Sequence, residues 1–168
     1  MLASVSSGTF APLGAFEHPT SMSIPDWIRA AREQWTYRGQ HRPTFAHEPG
    51  PDQESVWDFP RPPALREVSS VLGVKRDGAV IARTERGLAV CETAHPPTYY
   101  FPPSDVNFAL LKPSPGSSLC EWKGPASYYD VMGGPRLVRA AWSYESPFDE
   151  FRALAGYVAS GFRAVFLE

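Results

Sequence analysis

The chain is poor in cysteine. It has only Cys91 and Cys120 and no CxxC pair, which excludes a paired-thiolate zinc site. Two thiols in a domain of ordinary size fit a reducing cytoplasm better than a disulfide scaffold. Charge of one sign is also missing: 16 Lys+Arg stand against 18 Asp+Glu, a formal net charge of −2, where a nucleic-acid binder carries a basic surplus. No apolar run approaches the roughly 18 residues of a membrane span. Residues 1–21 hold no Lys or Arg, so they lack the charged start of a secretory signal and the arginines of a transit peptide. Being small, polar and aperiodic, they read as a disordered leader, or as sequence upstream of a true start at Met22.

Proline is abundant instead. The 18 prolines in 168 residues are twice the usual share of about 5%, and proline breaks helix interiors and stays out of central strands. Long helices are therefore nearly excluded. Nine of the prolines fall in residues 1–63, so residues 22–63 read as one short helix in an irregular Pro-rich extension. Ser23-Ile24-Pro25-Asp26 offers a helix cap, and Trp27, Ala31 and Trp35 recur every fourth residue with Ile28 beside them, Gly39 being the stop. The spacing predicts about three turns with those residues on the apolar face.

Residues 64–168 read as the β-domain. Val68–Arg76, the Asp77-Gly78 turn, Ala79–Thr84, the Arg86-Gly87 turn and Leu88–Thr93 predict a three-strand antiparallel meander. His95–Pro103, in which proline pairs bracket three aromatics, reads as a stiff connector. Ser104–Leu111 suits a single helical turn, and Lys112–Ser118 a loop. Leu119–Lys123, Ala126–Met132 and Leu137–Tyr144 read as strands, the last two joined at Gly133-Gly134. Pro147–Ala155 predicts a short helix with Phe148, Phe151 and Leu154 on one face, and Tyr157–Phe166 a last strand.

Four segments carry a resemblance. They are Trp57-Asp58-Phe59-Pro60-Arg61-Pro62-Pro63, then Glu92 to Pro103, then Cys120-Glu121-Trp122-Lys123-Gly124-Pro125-Ala126-Ser127-Tyr128, and Ala141-Trp142-Ser143-Tyr144 with Pro147-Phe148. In this order they resemble the domain-of-unknown-function 427 family of small bacterial and fungal proteins, over roughly Trp57 to Val158. The helix at Trp27–Trp35 is similar to an extension in some members. The resemblance implies a mainly β fold, an antiparallel β-tent of Mss4-like shape without that group's zinc motifs. Some catalogues label the family nucleotidyltransferase-like, but the chain has no Gly-rich phosphate loop and no clear acidic pair for Mg²⁺. Members usually continue beyond the Gly156-Tyr157-Val158 segment for a further strand, so an open sheet edge is expected here.

Several residues at strand ends are chemically capable. Leu88 and Val90 point inward, and alternation carries Glu92 to the same face, where it is a general base, a ligand anchor or half of a structural salt bridge. Cys120 shares a predicted strand face with Trp122 and is either a nucleophile near Lys123 or a small core residue. Lys123 suits an anionic group, with Tyr99, Trp122 and Tyr128 as pocket walls; it also suits pairing with Glu92. Cys91, on the opposite face, is assigned to packing. His41 and His47 have no neighbours at ligand spacing, so no metal and no cofactor is expected. The favoured expectation is a small anionic ligand, bound or transformed at the strand ends. The alternatives are a protein-interaction domain using the exposed-looking segments Trp57–Pro63 and Tyr99–Pro103, and a nucleotidyltransferase-like activity. Nucleic acid and membrane are not expected as partners.

Overall fold

The computed structural model describes residues 24–162 and 165–167. The expected leader, 1–21, and the expected cap, Ser23, lie outside them. Ten short strands run in chain order as β1 (Ala64–Val68), β2 (Val71–Arg76), β3 (Ala79–Thr84), β4 (Gly87–Cys91), β5 (Thr98–Phe101), β6 (Leu111–Cys120), β7 (Gly124–Val131), β8 (Leu137–Ser143), β9 (Val158–Ser160) and β10 (Val165–Leu167). Seven make a sheet in the order β1-β4-β5-β9-β8-β7-β6, and three make a second in the order β10-β2-β3. Every strand pair is antiparallel. The fold is the predicted mainly β, antiparallel β-tent with a short N-terminal helix and an irregular extension.

Local chemistry explains where the elements depart from expectation. Asp77 and Gly78 have φ of 47° and 80°, the two left-handed conformations of a type I′ turn, so the β2–β3 hairpin forms as predicted. The segment before it is two strands, however, and Ser69-Ser70 sends β1 and β2 to different sheets. β4 pairs with β1 and β5, which divides the predicted meander. The expected connector contains β5, which sits inside the large sheet with no proline of its own. The expected loop at 112–118 belongs to β6, an edge strand, where Pro113 and Pro115 cost no interior ladder bond. Its register shifts between Ser114 and Ser117, around Gly116 at φ 84°. Trp122 and Lys123 leave the predicted strand for a turn, 121–123, between β6 and β7. The predicted last strand is split, β9 joining the large sheet and β10 pairing with β2.

Helix α1 (Asp26–Glu33) has two turns rather than three, and Pro25 caps it without a side-chain hydrogen bond. Its inward face carries Ile28, which is buried, and Arg32 one turn on. Trp27 is 63% exposed, and Trp35 lies past the helix end, 40% exposed. Of the predicted apolar stripe, Ile28 is therefore the member that packs into the core, and Trp27 stays exposed.

Strand alternation gives the large sheet two apolar faces. One meets the small sheet, with Leu72, Val74 and Ile81 packed on Phe101, Leu111, Val131, Ala141 and Val158. The other buries Val90, Tyr100, Trp122, Ala126, Tyr144 and Ala159 beneath Phe151 and Leu154. Those two residues ride on a 3-10 segment, Asp149–Leu154, and with Phe148 they are buried as the sequence predicts. Leu154→Ala is expected to lower unfolding stability by about 2–5 kcal/mol, read from urea titrations. Val138→Ala, at a residue 63% exposed, should stay within about 0.5 kcal/mol.

Candidate functional site

The strapped face of the large sheet is only partly covered. Cross-strand register there places Leu88 opposite Tyr100, Tyr100 opposite Ala159, Ala159 opposite Trp142, and Trp142 opposite Tyr128. Ala159 is small, so the two large side chains beside it meet across it: Trp142 Nε1 donates to the Tyr100 hydroxyl at 3.3 Å. The Tyr128 hydroxyl shares a hydrogen bond with Ser118 Oγ at 2.7 Å. Above this row lies an open cleft of about 300 Å³, lined by Thr98, Tyr100, Lys123, Tyr128, Arg139, Trp142 and Tyr144. Burial pushes the Tyr100 and Tyr144 phenols far above their ordinary range, so both remain protonated at neutral pH.

Lys123 reaches the cleft from the 121–123 turn. It is buried, and its Nζ lies 5.8 Å from the centre of the Tyr144 ring. Two restraints hold the turn. The Lys123 carbonyl accepts from the Phe148 amide at 3.1 Å, and Arg32 donates to the carbonyls of Glu121 at 2.7 Å and Trp122 at 3.3 Å. Gly124, which follows, has φ 98°, and an added Cβ would sit 3.3 Å from the Phe148 nitrogen. The close approach and the left-handed backbone both require glycine. Glu92 Oε2 stands 3.9 Å from Lys123 Nζ, while Glu92 Oε1 is 3.0 Å from Arg61 Nη2. Arg61 is itself buried, donates to the Thr93 carbonyl at 2.9 Å, and places its guanidinium 3.8 Å from the centre of the Trp35 ring.

Arg139 lines the same cleft from β8. Its guanidinium lies 3.8 Å from the centre of the Tyr128 ring and donates to the Pro115 carbonyl at 2.9 Å. Its backbone is left-handed, φ 53°, which is uncommon for arginine. Asp130 holds it there, because Oδ1 accepts from the Arg139 amide at 2.9 Å and Oδ2 from Arg136 Nε at 2.8 Å. The Arg139 amide, then Arg136, keep the Asp130 carboxyl below its ordinary 3.8.

A family model described as Domain of unknown function (DUF427) matches residues 64–165. The chain belongs to this family. No curated protein matches it.

The DUF427 match begins after Arg32 and Arg61, so both supports come from the preceding extension. Of the expected site residues, Glu92 and Lys123 are brought together and Tyr128 lines the cleft. Tyr99 does not, because alternation turns it to the opposite face, against Phe59, Ala89 and Cys91. Trp122 is buried under Arg32, whose guanidinium is 4.8 Å from its ring centre. Cys120 lies half-buried at the end of β6, with Sγ 3.9 Å from Glu121 Oε2, and is not part of the cleft lining. His95 turns to the Thr93 carbonyl at 3.1 Å. The segments expected to be exposed are packed instead: Phe59, Tyr100 and Phe101 are each at most 2% exposed. Among the described residues, no three His, Cys, Asp or Glu side chains gather to hold a metal ion, and no helix is long and apolar enough to cross a membrane.

Sequence reasoning missed Arg32, Arg61, Thr98, Tyr100, Arg139, Trp142 and Tyr144. A lone arginine inside an aromatic and proline run that packs down must bring a carboxylate with it, and that signal was present. Arg139 had none, since its orientation depends on Asp130 across the hairpin.

Linkage gives Asp130 a pH signature. With a folded value below the unfolded one, its contribution to stability is complete above the unfolded value and fades as pH falls through the folded one. The stability gap between the wild type and Asp130→Asn should therefore be constant at neutral pH and narrow below about pH 4. Urea midpoints measured across that range check it.

Proposed function

We propose that this cleft binds a small anionic ligand. The observation that carries the reading is that Lys123 and Arg139 line the same cleft, the one beside the Tyr144 ring and the other stacked on the Tyr128 ring. Two cations approaching one concavity repel each other and are stabilised by an anion. The volume, about 300 Å³, is at the lower end of small-molecule sites. In this reading Lys123 and Arg139 take the anionic group, and Tyr128 and Thr98 offer hydroxyls. Trp142, Tyr100 and Tyr144 supply flat walls for an apolar body.

Any chemistry on the ligand would draw on the protonated phenols of Tyr100 and Tyr144 as hydrogen-bond donors. Glu92 Oε1 is already engaged by the Arg61 guanidinium, at 3.0 Å from Nη2 and 3.1 Å from Nε. Its part is to hold Lys123. Cys120 and Trp122 support the turn and take no part in binding.

The test is a thermal-shift screen of small carboxylates, sugar phosphates and nucleotides with and without Mg²⁺. A ligand at 100 times its Kd should add about 2.7 kcal/mol of stability. Lys123→Ala and Arg139→Ala should each abolish that shift, and Lys123→Ala, which removes a buried group beside Glu92, should lower basal stability as well. A screen without any shift, or a shift that survives both substitutions, overturns the reading. A shift restricted to a nucleoside triphosphate with Mg²⁺ would instead favour nucleotidyl transfer.

A further inference from the structure

We infer that Arg61 is a positioning residue whose charge cancels that of Glu92 and so leaves Lys123 a net positive charge for the cleft; the inference rests on the reading of Lys123 as the ligand's cation. Three charged groups meet in sequence. Arg61 Nε and Nη2 lie 3.1 and 3.0 Å from Glu92 Oε1, and Lys123 Nζ lies 3.9 Å from Oε2. Were Lys123 the sole partner of Glu92, the pair would be neutral and the ammonium would be engaged by its own carboxylate. With Arg61 present, two positive groups oppose one negative. The guanidinium sits closer to the carboxylate, at 3.0 Å against 3.9 Å for the ammonium, and its positive potential offsets the carboxylate's negative one, so the trio carries one surplus positive charge.

The rest of the arrangement keeps that division in place. Arg61 is buried, which limits screening of its charge by water. The Trp35 ring and the Thr93 carbonyl occupy its other sides. Lys123 cannot slide toward Glu92 freely, because Arg32 holds the carbonyls of the two residues before it. The chain before residue 64 thus supplies both the compensating charge and the backbone restraint to a site whose lining lies wholly within the matched region.

The chain contains three lysines, Lys75, Lys112 and Lys123, of which the first two are exposed. Acetylation by an anionic ester, sulfosuccinimidyl acetate, and by its neutral succinimidyl counterpart can be followed at each by peptide mass spectrometry. The anionic-to-neutral rate ratio at Lys123, referenced to Lys75 and Lys112, reads the local charge. Arg61→Gln should lower that ratio about threefold or more, and Arg61→Lys should keep it. Glu92→Gln should raise it, and the double variant Arg61→Gln/Glu92→Gln, which restores the charge balance, should return it to the wild-type value. Affinity for inorganic phosphate, from NMR titration, should follow the same order. A ratio that Arg61→Gln leaves unchanged, or that the double variant fails to restore, overturns the inference. If Arg61→Gln does not fold, Glu92→Gln alone decides, since an unchanged ratio there refutes it. Ratios that follow this order in a protein that binds neither phosphate nor a carboxylate would uphold the charge role of Arg61 and refute the cleft as a binding site.

Discussion

A guanidinium taken out of water has to be matched, and the pairing of Arg61 with Glu92 is the constraint around which this site is arranged. Removing one partner of a buried ion pair costs about 3–5 kcal/mol, so the two segments that supply the pair are tied to one another. One is the aromatic and proline run before β1, which brings Arg61 down beside Thr93. The other is the residue just past the end of β4, Glu92, which meets Arg61 and Lys123 there. Lys123 then joins from a third segment. The geometry of the cleft follows from that meeting, because the turn carrying Lys123 fixes where β7 starts and how Tyr128 stands beside Trp142.

The fold class and the approach of Glu92 to Lys123 were legible because they rest on local, periodic signals. Alternation through Leu88, Val90 and Glu92 settles one side of the pair. The Asp77-Gly78 turn and the Phe148, Phe151, Leu154 face are likewise written in short spacings. The facing of Tyr99 was not legible, for the opposite reason. Tyr99, Tyr100 and Phe101 are all aromatic, so hydropathy carries no alternation, and only pairing with β4 and β9 shows which ring turns to the cleft. Trp27 and Trp35 misled because a periodic stripe on a two-turn helix says little when a charged residue, Arg32, supplies the packing. Prolines were read as loop signals in β6, although on an edge strand they interrupt nothing.

The small sheet and the extension play different parts. The small sheet closes the inner core and contributes no residue to the cleft lining. The extension contributes little buried apolar surface beyond Ile28 and Phe59, yet its arginines reach the two places that orient Lys123. The cleft geometry is thus held by a segment whose own packing is light, through directional contacts instead of area.

β6 is the longest strand and lies at the rim of the larger sheet. A rim of that length normally invites another chain to dock alongside it, strand to strand. Pro113 and Pro115 remove two amide donors, and the kink around Gly116 breaks the run of parallel carbonyls, so an incoming strand finds no continuous ladder to zip onto. The same prolines that disguise β6 in the sequence therefore guard the protein against fibrillar self-association in a crowded cell.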